Sequence, residues 1–158
     1  MNITQYLKEN AVDLIGTEVQ IAPEISEKKL NSAIKAYAND AAPEHVILLH
    51  DSTLLRNAKD GLLFLGDRFY LKPAFEKPIV VLYEDLLGIR IDREKILKGD
   101  KEKEQLHVVL TTEDTTHILT DKLSGYSIEN FAKLIDGIIA LKDTQDFINV
   151  SQITPLAD

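Results

Sequence analysis

With 158 residues, 44% hydrophobic and 28% charged, the chain has the balance of one soluble globular domain, long enough to bury a core. It contains no cysteine, which excludes disulfides, thiolate metal sites and a thiol nucleophile. The 26 acidic side chains against 18 basic ones leave a net charge of −8, a balance that repels nucleic-acid phosphates and anionic lipid.

The opening MNITQYLKEN lacks the basic start and apolar run of a secretory signal, which fits a cytoplasmic location. Ile3, Tyr6, Leu7, Leu14 and Ile15 recur at helical spacing and predict a first helix, with Gly16 as its stop. Glu18 to Ile21 is a short extended candidate closed by Ala22-Pro23. Ser26 suits the N-cap of a second helix that carries Leu30, Ala33, Ile34 and Tyr37 on one stripe. Asn39-Asp40 and Ala42-Pro43 end it, so residues 1–43 read as a helical preface.

From residue 44 the rhythm changes to short strands. His45 to Asp51 is an apolar run of strand length, and Arg56 to Gly61 is a polar loop. Leu62 to Leu65 and Arg68 to Lys72 flank Gly66-Asp67, a pair suited to a tight hairpin turn. Phe69 and Leu71 alternate with Arg68, Tyr70 and Lys72, the period of a half-buried strand. Pro73 to Pro78 is a turn, and Ile79 to Tyr83 and Leu86 to Ile91 are further strands. Asp92 to Glu104 mixes both charge signs and reads as a solvated loop. Leu106 to Thr111 and Thr115 to Leu119 form a last hairpin, for a total of about seven strands.

A final helix is predicted after the N-cap residue Ser127, with Ile128, Phe131, Leu134, Ile135, Ile138 and Leu141 forming a wide apolar stripe. That stripe belongs across an open sheet edge or barrel mouth. Residues 143–158 read as a loosely ordered tail, with Phe147, Ile148 and Val150 as docking candidates.

The run ILLHDSTLLRNAKDGLLFLGDRFYLK, the later YEDLLGI and the helix around KKLNSAIKAYA resemble a bacterial group of pleckstrin-homology (PH)-like domains of unknown function. The resemblance implies an α+β fold for residues 44–142: a bent seven-stranded antiparallel β-sandwich or barrel capped by a C-terminal helix and preceded by two N-terminal helices. It also implies a binding or scaffolding role, because the shared motifs are turns and strands rather than chemistry.

The residues themselves offer little catalysis. His50-Asp51-Ser52 cannot form a relay on a strand, where neighbouring side chains leave on opposite faces. His107 and His117 are two metal-ligand candidates where a site needs three or four, so no metal site and no cofactor is assigned. Lys59-Asp60-Gly61 is a turn rather than a phosphate loop, and Glu84-Asp85 a surface acidic pair.

The leading expectation is therefore a non-enzymatic module that binds a protein partner or a second copy of itself. By analogy with strand-edge peptide binding beside a helix, the contact residues are Leu86, Ile89, Ile91, Phe131 and Ile135. Residues 1–43 offer another surface, through Leu7, Leu14, Leu30, Ile34 and Tyr37, wherever these do not pack on the domain itself. One alternative is binding of an anionic lipid headgroup through Arg56, Lys59, Arg68 and Lys72, and another is a hydrolase using His107, His117 or Glu84.

Overall fold

The computed structural model describes residues 1–15, 18–120 and 128–143, which form an α+β arrangement of three helices and two antiparallel sheets. The helices are α1 (Ile3–Ile15), α2 (Glu27–Tyr37) and α3 (Ile128–Lys142). The five-stranded sheet holds β1 (Val19–Ile21), β2 (Leu48–Asp51), β3 (Gly61–Phe64), β4 (Arg68–Lys72) and β5 (Ile79–Leu82), in that order. The second sheet holds β6 (Leu86–Lys98), β7 (Lys101–Thr112) and β8 (Thr116–Thr120). Among the described residues the two sheets share no ladder, so the frame is open rather than a closed barrel. Among the described residues no helix is long and apolar enough to cross a membrane. The expected Gly16 stop, the Ser127 cap, the side chains of Leu14 and Ile15, and the tail positions Phe147, Ile148 and Val150 lie outside the described residues.

Among the described residues eight strands form where seven are predicted. The extra one is the short extended candidate, whose Val19 and Ile21 stand opposite His50 and Leu48 and lengthen the first sheet by an edge. A second difference concerns β4. Its alternation suggests one wet face, yet Phe69, Tyr70 and Leu71 are all buried. Residues Leu48, Leu62, Phe64, Phe69, Leu71 and Val81 face the main core. Leu49, Leu63 and Tyr70 point the other way, into a second cluster closed by Ala33 and Tyr37 of α2. Because α2 covers what would otherwise be the solvent face, β2 and β3 are buried on both sides, which explains their unbroken apolar runs.

Residues 1–43 are therefore built into the same body. Ser26 caps α2 by accepting the Lys29 amide at 3.3 Å, and its own amide donates to Gln20 Oε1 on β1 at 2.8 Å. On α1, Ile3, Leu7 and Ala11 recur at every fourth residue and are buried in the main core. Gly137 lets α1 approach α3: a Cβ there would meet Tyr6 Oη at 1.9 Å, and that hydroxyl donates to the Leu134 carbonyl at 2.9 Å. A mid-helix glycine costs about 1 kcal/mol relative to alanine, a cost the close helix contact offsets. Phe131, Leu134, Ile135 and Ile138 of α3 are fully buried, as their spacing predicts. Each contributes about 2 kcal/mol of transfer free energy. The Phe131 ring meets Phe69 edge-on, with centroids 6.2 Å apart, and locks helix to sheet.

The segment expected as a solvated loop, Asp92 to Glu104, is instead the far half of a long hairpin turning at Gly99-Asp100. Gly99 has φ 65° and supplies the left-handed residue the turn needs. Strand β8 covers β7 only from His107 to Thr111, so Arg93–Lys98 and Lys101–Leu106 continue as a two-stranded ribbon. Cross-strand pairs such as Arg93–Glu104 at 2.8 Å, rather than apolar contacts, line that ribbon. Its mixed charges mark strand edges guarded against further pairing.

Candidate binding surface

Two loops at one end of the five-stranded sheet carry the most exposed of the large apolar side chains among the described residues. The β2–β3 loop, residues 52–60, presents Leu54 (100% exposed) and Leu55 (84%), and the β4–β5 loop, residues 73–78, presents Phe75 (102%). Between them lies an open cavity of about 720 Å³, with Leu54, Leu55, Ala74 and Phe75 at its apolar rim and Glu18, Asp51 and Asp60 on its polar walls.

The β2–β3 loop is firmly held. Asp51 Oδ1 accepts the Thr53 amide at 2.9 Å and its hydroxyl at 2.6 Å. Thr53 Oγ1 in turn accepts the Asn57 amide at 3.0 Å, and Asn57 Oδ1 the Lys59 amide at 3.1 Å. From α2, Ser32 donates its hydroxyl to the Asn57 carbonyl at 2.5 Å, and Lys29 Nζ lies 3.0 Å from Asp51 Oδ2. Ala58 is buried in the cluster under α2. These contacts hold two non-glycine residues in the left-handed region, Arg56 at φ 56° and Ala58 at φ 59°, and Phe75 adopts φ 62° on the facing loop. Each costs about 1–2 kcal/mol, so the surroundings dictate the shape of these loops.

Asp51 is buried, and burial alone pushes its carboxyl up. The Thr53 hydroxyl and amide and the Lys29 ammonium outweigh that and hold it below the ordinary carboxylate range. Its neighbour His50 is also buried, but in register with Leu62 on the core face, whereas Asp51 is opposite Gly61 and linked to α2. The two side chains leave the strand on opposite faces and share no site.

The residues singled out from sequence fall in different places. Leu86, Phe131 and Ile135 are fully buried core residues, while Ile89 and Ile91 are half-buried. Helix α3 packs on β6, and Lys142 Nζ donates to the carbonyls of Glu84 (3.1 Å) and Leu86. The strand–helix groove expected to take a partner is thus filled by the fold's own packing, and Leu86, Phe131 and Ile135 present nothing to a ligand.

The four cations do not converge either. Arg56 and Lys59 are exposed on the β2–β3 loop. Arg68 is bidentate to Asp67, at 3.0 Å through both Nε and Nη2, and that hydrogen bond holds its guanidinium above its usual pKa. Lys72 reaches Asp60 at 3.1 Å and the Pro73 carbonyl at 2.7 Å. His107 pairs with Glu94 at 3.0 Å on the outer face of the second sheet. His117 sits opposite Leu110 on the core face, where burial lowers its pKa. The register thus separates the two histidines, and among the described residues no group of three metal-ligating side chains gathers.

Sequence reasoning missed Leu54, Leu55 and Phe75. The available signal was that Leu54-Leu55 belongs to neither flanking apolar run, and that Phe75 lies between Pro73 and Pro78, where no strand can give it a buried face. Comparison with family models, curated proteins and solved structures finds no match to this chain.

Proposed function

We propose that this chain is a non-enzymatic binding module on a PH-like frame, and that it holds a protein partner, in the cytoplasm, at the loop end carrying Leu54, Leu55 and Phe75. The observation that carries this reading is the clamping of a strained loop whose outermost side chains are bare leucines. A loose loop would turn such residues inward or vary its shape. A fixed one keeps about 1.5–3 kcal/mol of apolar burial per side chain in reserve for a partner. The PH-like frame is supported by the order of elements, a run of antiparallel strands followed by one helix filling the open side of the sheets.

The test is the triple variant L54S/L55S/F75S. Thermal unfolding is expected to stay within about 0.5 kcal/mol of wild type, because no packing is removed. Association with a partner isolated on the wild-type protein is expected to fall at least about 100-fold. Retained association would move the binding face elsewhere.

A further inference from the structure

The same loop end also constrains the chemistry of its occupant, an inference that rests on the binding-face reading above. Each apolar protrusion is followed closely by an exposed cation: Arg56 after Leu54-Leu55, and Lys77 two residues past Phe75. Lys59 lines the cavity itself. None of these three makes an ion pair among the described residues. Of the carboxylates near them, Asp51 is paired with Lys29 and Asp60 with Lys72, while Glu18 lines the cavity wall and Glu76 sits on the second loop. In a chain of net charge −8, the apolar tips at this end thus stand beside a rim of exposed cations.

We infer that the occupant is an acidic amphipathic segment of a partner protein, with apolar side chains seated on Leu54, Leu55 and Phe75 and carboxylates facing Arg56, Lys59 and Lys77. Two observations favour a protein segment over an anionic bilayer. The cavity of about 720 Å³ between the loops is concave and takes inserted side chains, whereas a bilayer would meet the tips and leave the hollow behind them unfilled. The overall charge of −8 also repels an anionic surface at long range, while a short peptide engages the local rim inside that field.

The experiment selects binders from a displayed library of random linear peptides on the full-length protein. The enriched peptides are then measured against three forms: wild type, L54S/L55S/F75S and R56E/K59E/K77E. The expected result is enrichment of sequences mixing Leu, Ile or Phe with Asp and Glu. They should lose binding to the serine variant and weaken at least about tenfold on the charge-reversed one, with an affinity that falls as salt is raised. Enriched peptides that are neutral or basic, yet still need the apolar residues, would overturn the acidic assignment and leave the binding face standing. Peptides indifferent to L54S/L55S/F75S would overturn the face itself. Sedimentation with phosphatidylcholine vesicles containing phosphatidylglycerol supplies the last arm. Capture by those vesicles that is lost in the serine variant would assign the loops to a bilayer and overturn the inference.

Discussion

Residues 56–61 and 92–104 look alike in sequence, both polar and both lying between apolar runs, and they fold in opposite ways. The first becomes an irregular loop whose backbone is held by side chains: Asp51, Thr53 and Asn57 along the chain, Ser32 from α2. The second becomes a regular ribbon whose backbone is held by its own ladder, turning at Gly99-Asp100. The clamped loop holds strained non-glycine residues beneath its bare leucines, whereas the ribbon is mostly charged, exposes Leu97, and strains no residue but a glycine. What separates them is where the backbone hydrogen bonds go, and side-chain polarity alone does not reveal that. A loop held by specific side chains should fail sharply when one is removed. A ribbon held by a repeated ladder should fail gradually.

The largest expected effect is at the base of the clamped loop. Gly61 has φ 144° and pairs with Asp51, and a Cβ there would stand 2.0 Å from the His50 carbonyl oxygen. Gly61→Ala must push β2 and β3 apart, at about 4 kcal/mol. Urea unfolding measures the loss, and a change below about 1 kcal/mol would mean that the loop does not depend on this approach.

Asp51→Asn comes next. It keeps the shape but removes the charge that Lys29 and Thr53 hold, at about 2–3 kcal/mol for a buried, partly solvated pair. Hydrogen exchange should quicken at the Thr53 and Asn57 amides and remain unchanged in the ribbon. The pH dependence follows in sign. The folded pKa of Asp51 is depressed below the ordinary 3.8, so its stabilisation is complete above that value and is lost as pH falls through the folded pKa. In Asp51→Asn this part of the acid destabilisation should vanish.

How much of this is legible in the sequence follows from the same distinction. Helices α2 and α3 and the strands β2 to β5 are readable because the periodicity of Leu30, Ala33, Ile34 and Tyr37, or the run at Leu48 and Leu49, records burial directly. The ribbon is missed because its stability lies in backbone pairing, although Gly99-Asp100 is the same kind of turn pair as Gly66-Asp67. Tyr70 is misread as solvent-facing because what covers it, Ala33 and Tyr37 of α2 and the Asp40 carboxylate that accepts its hydroxyl, comes far earlier in the chain. The binding surface is the hardest to see. Apolar residues in sequence advertise the core, and only packing shows that Leu86 and Phe131 are inside while Leu54 and Phe75 are not.

The smallest expected effect falls on the ribbon and sharpens the comparison most. Nothing lies within 4 Å of a Cβ at Gly99, so Gly99→Ala is opposed by the left-handed backbone alone, at about 1 kcal/mol. Ion pairs as exposed as Arg93–Glu104 add little against solvent screening, and two strands without a third are marginal in water. The substitution should therefore fray the ribbon from its tip, raising exchange at residues 95–104, while β7 opposite β8 stays protected and global unfolding is nearly unchanged. Fraying that stops at β8 would establish the ribbon as a separate, locally stabilised unit. If global stability fell by as much as in Asp51→Asn, the ribbon would be bound into the core's cooperativity, and the contrast with the clamped loop would be one of shape alone.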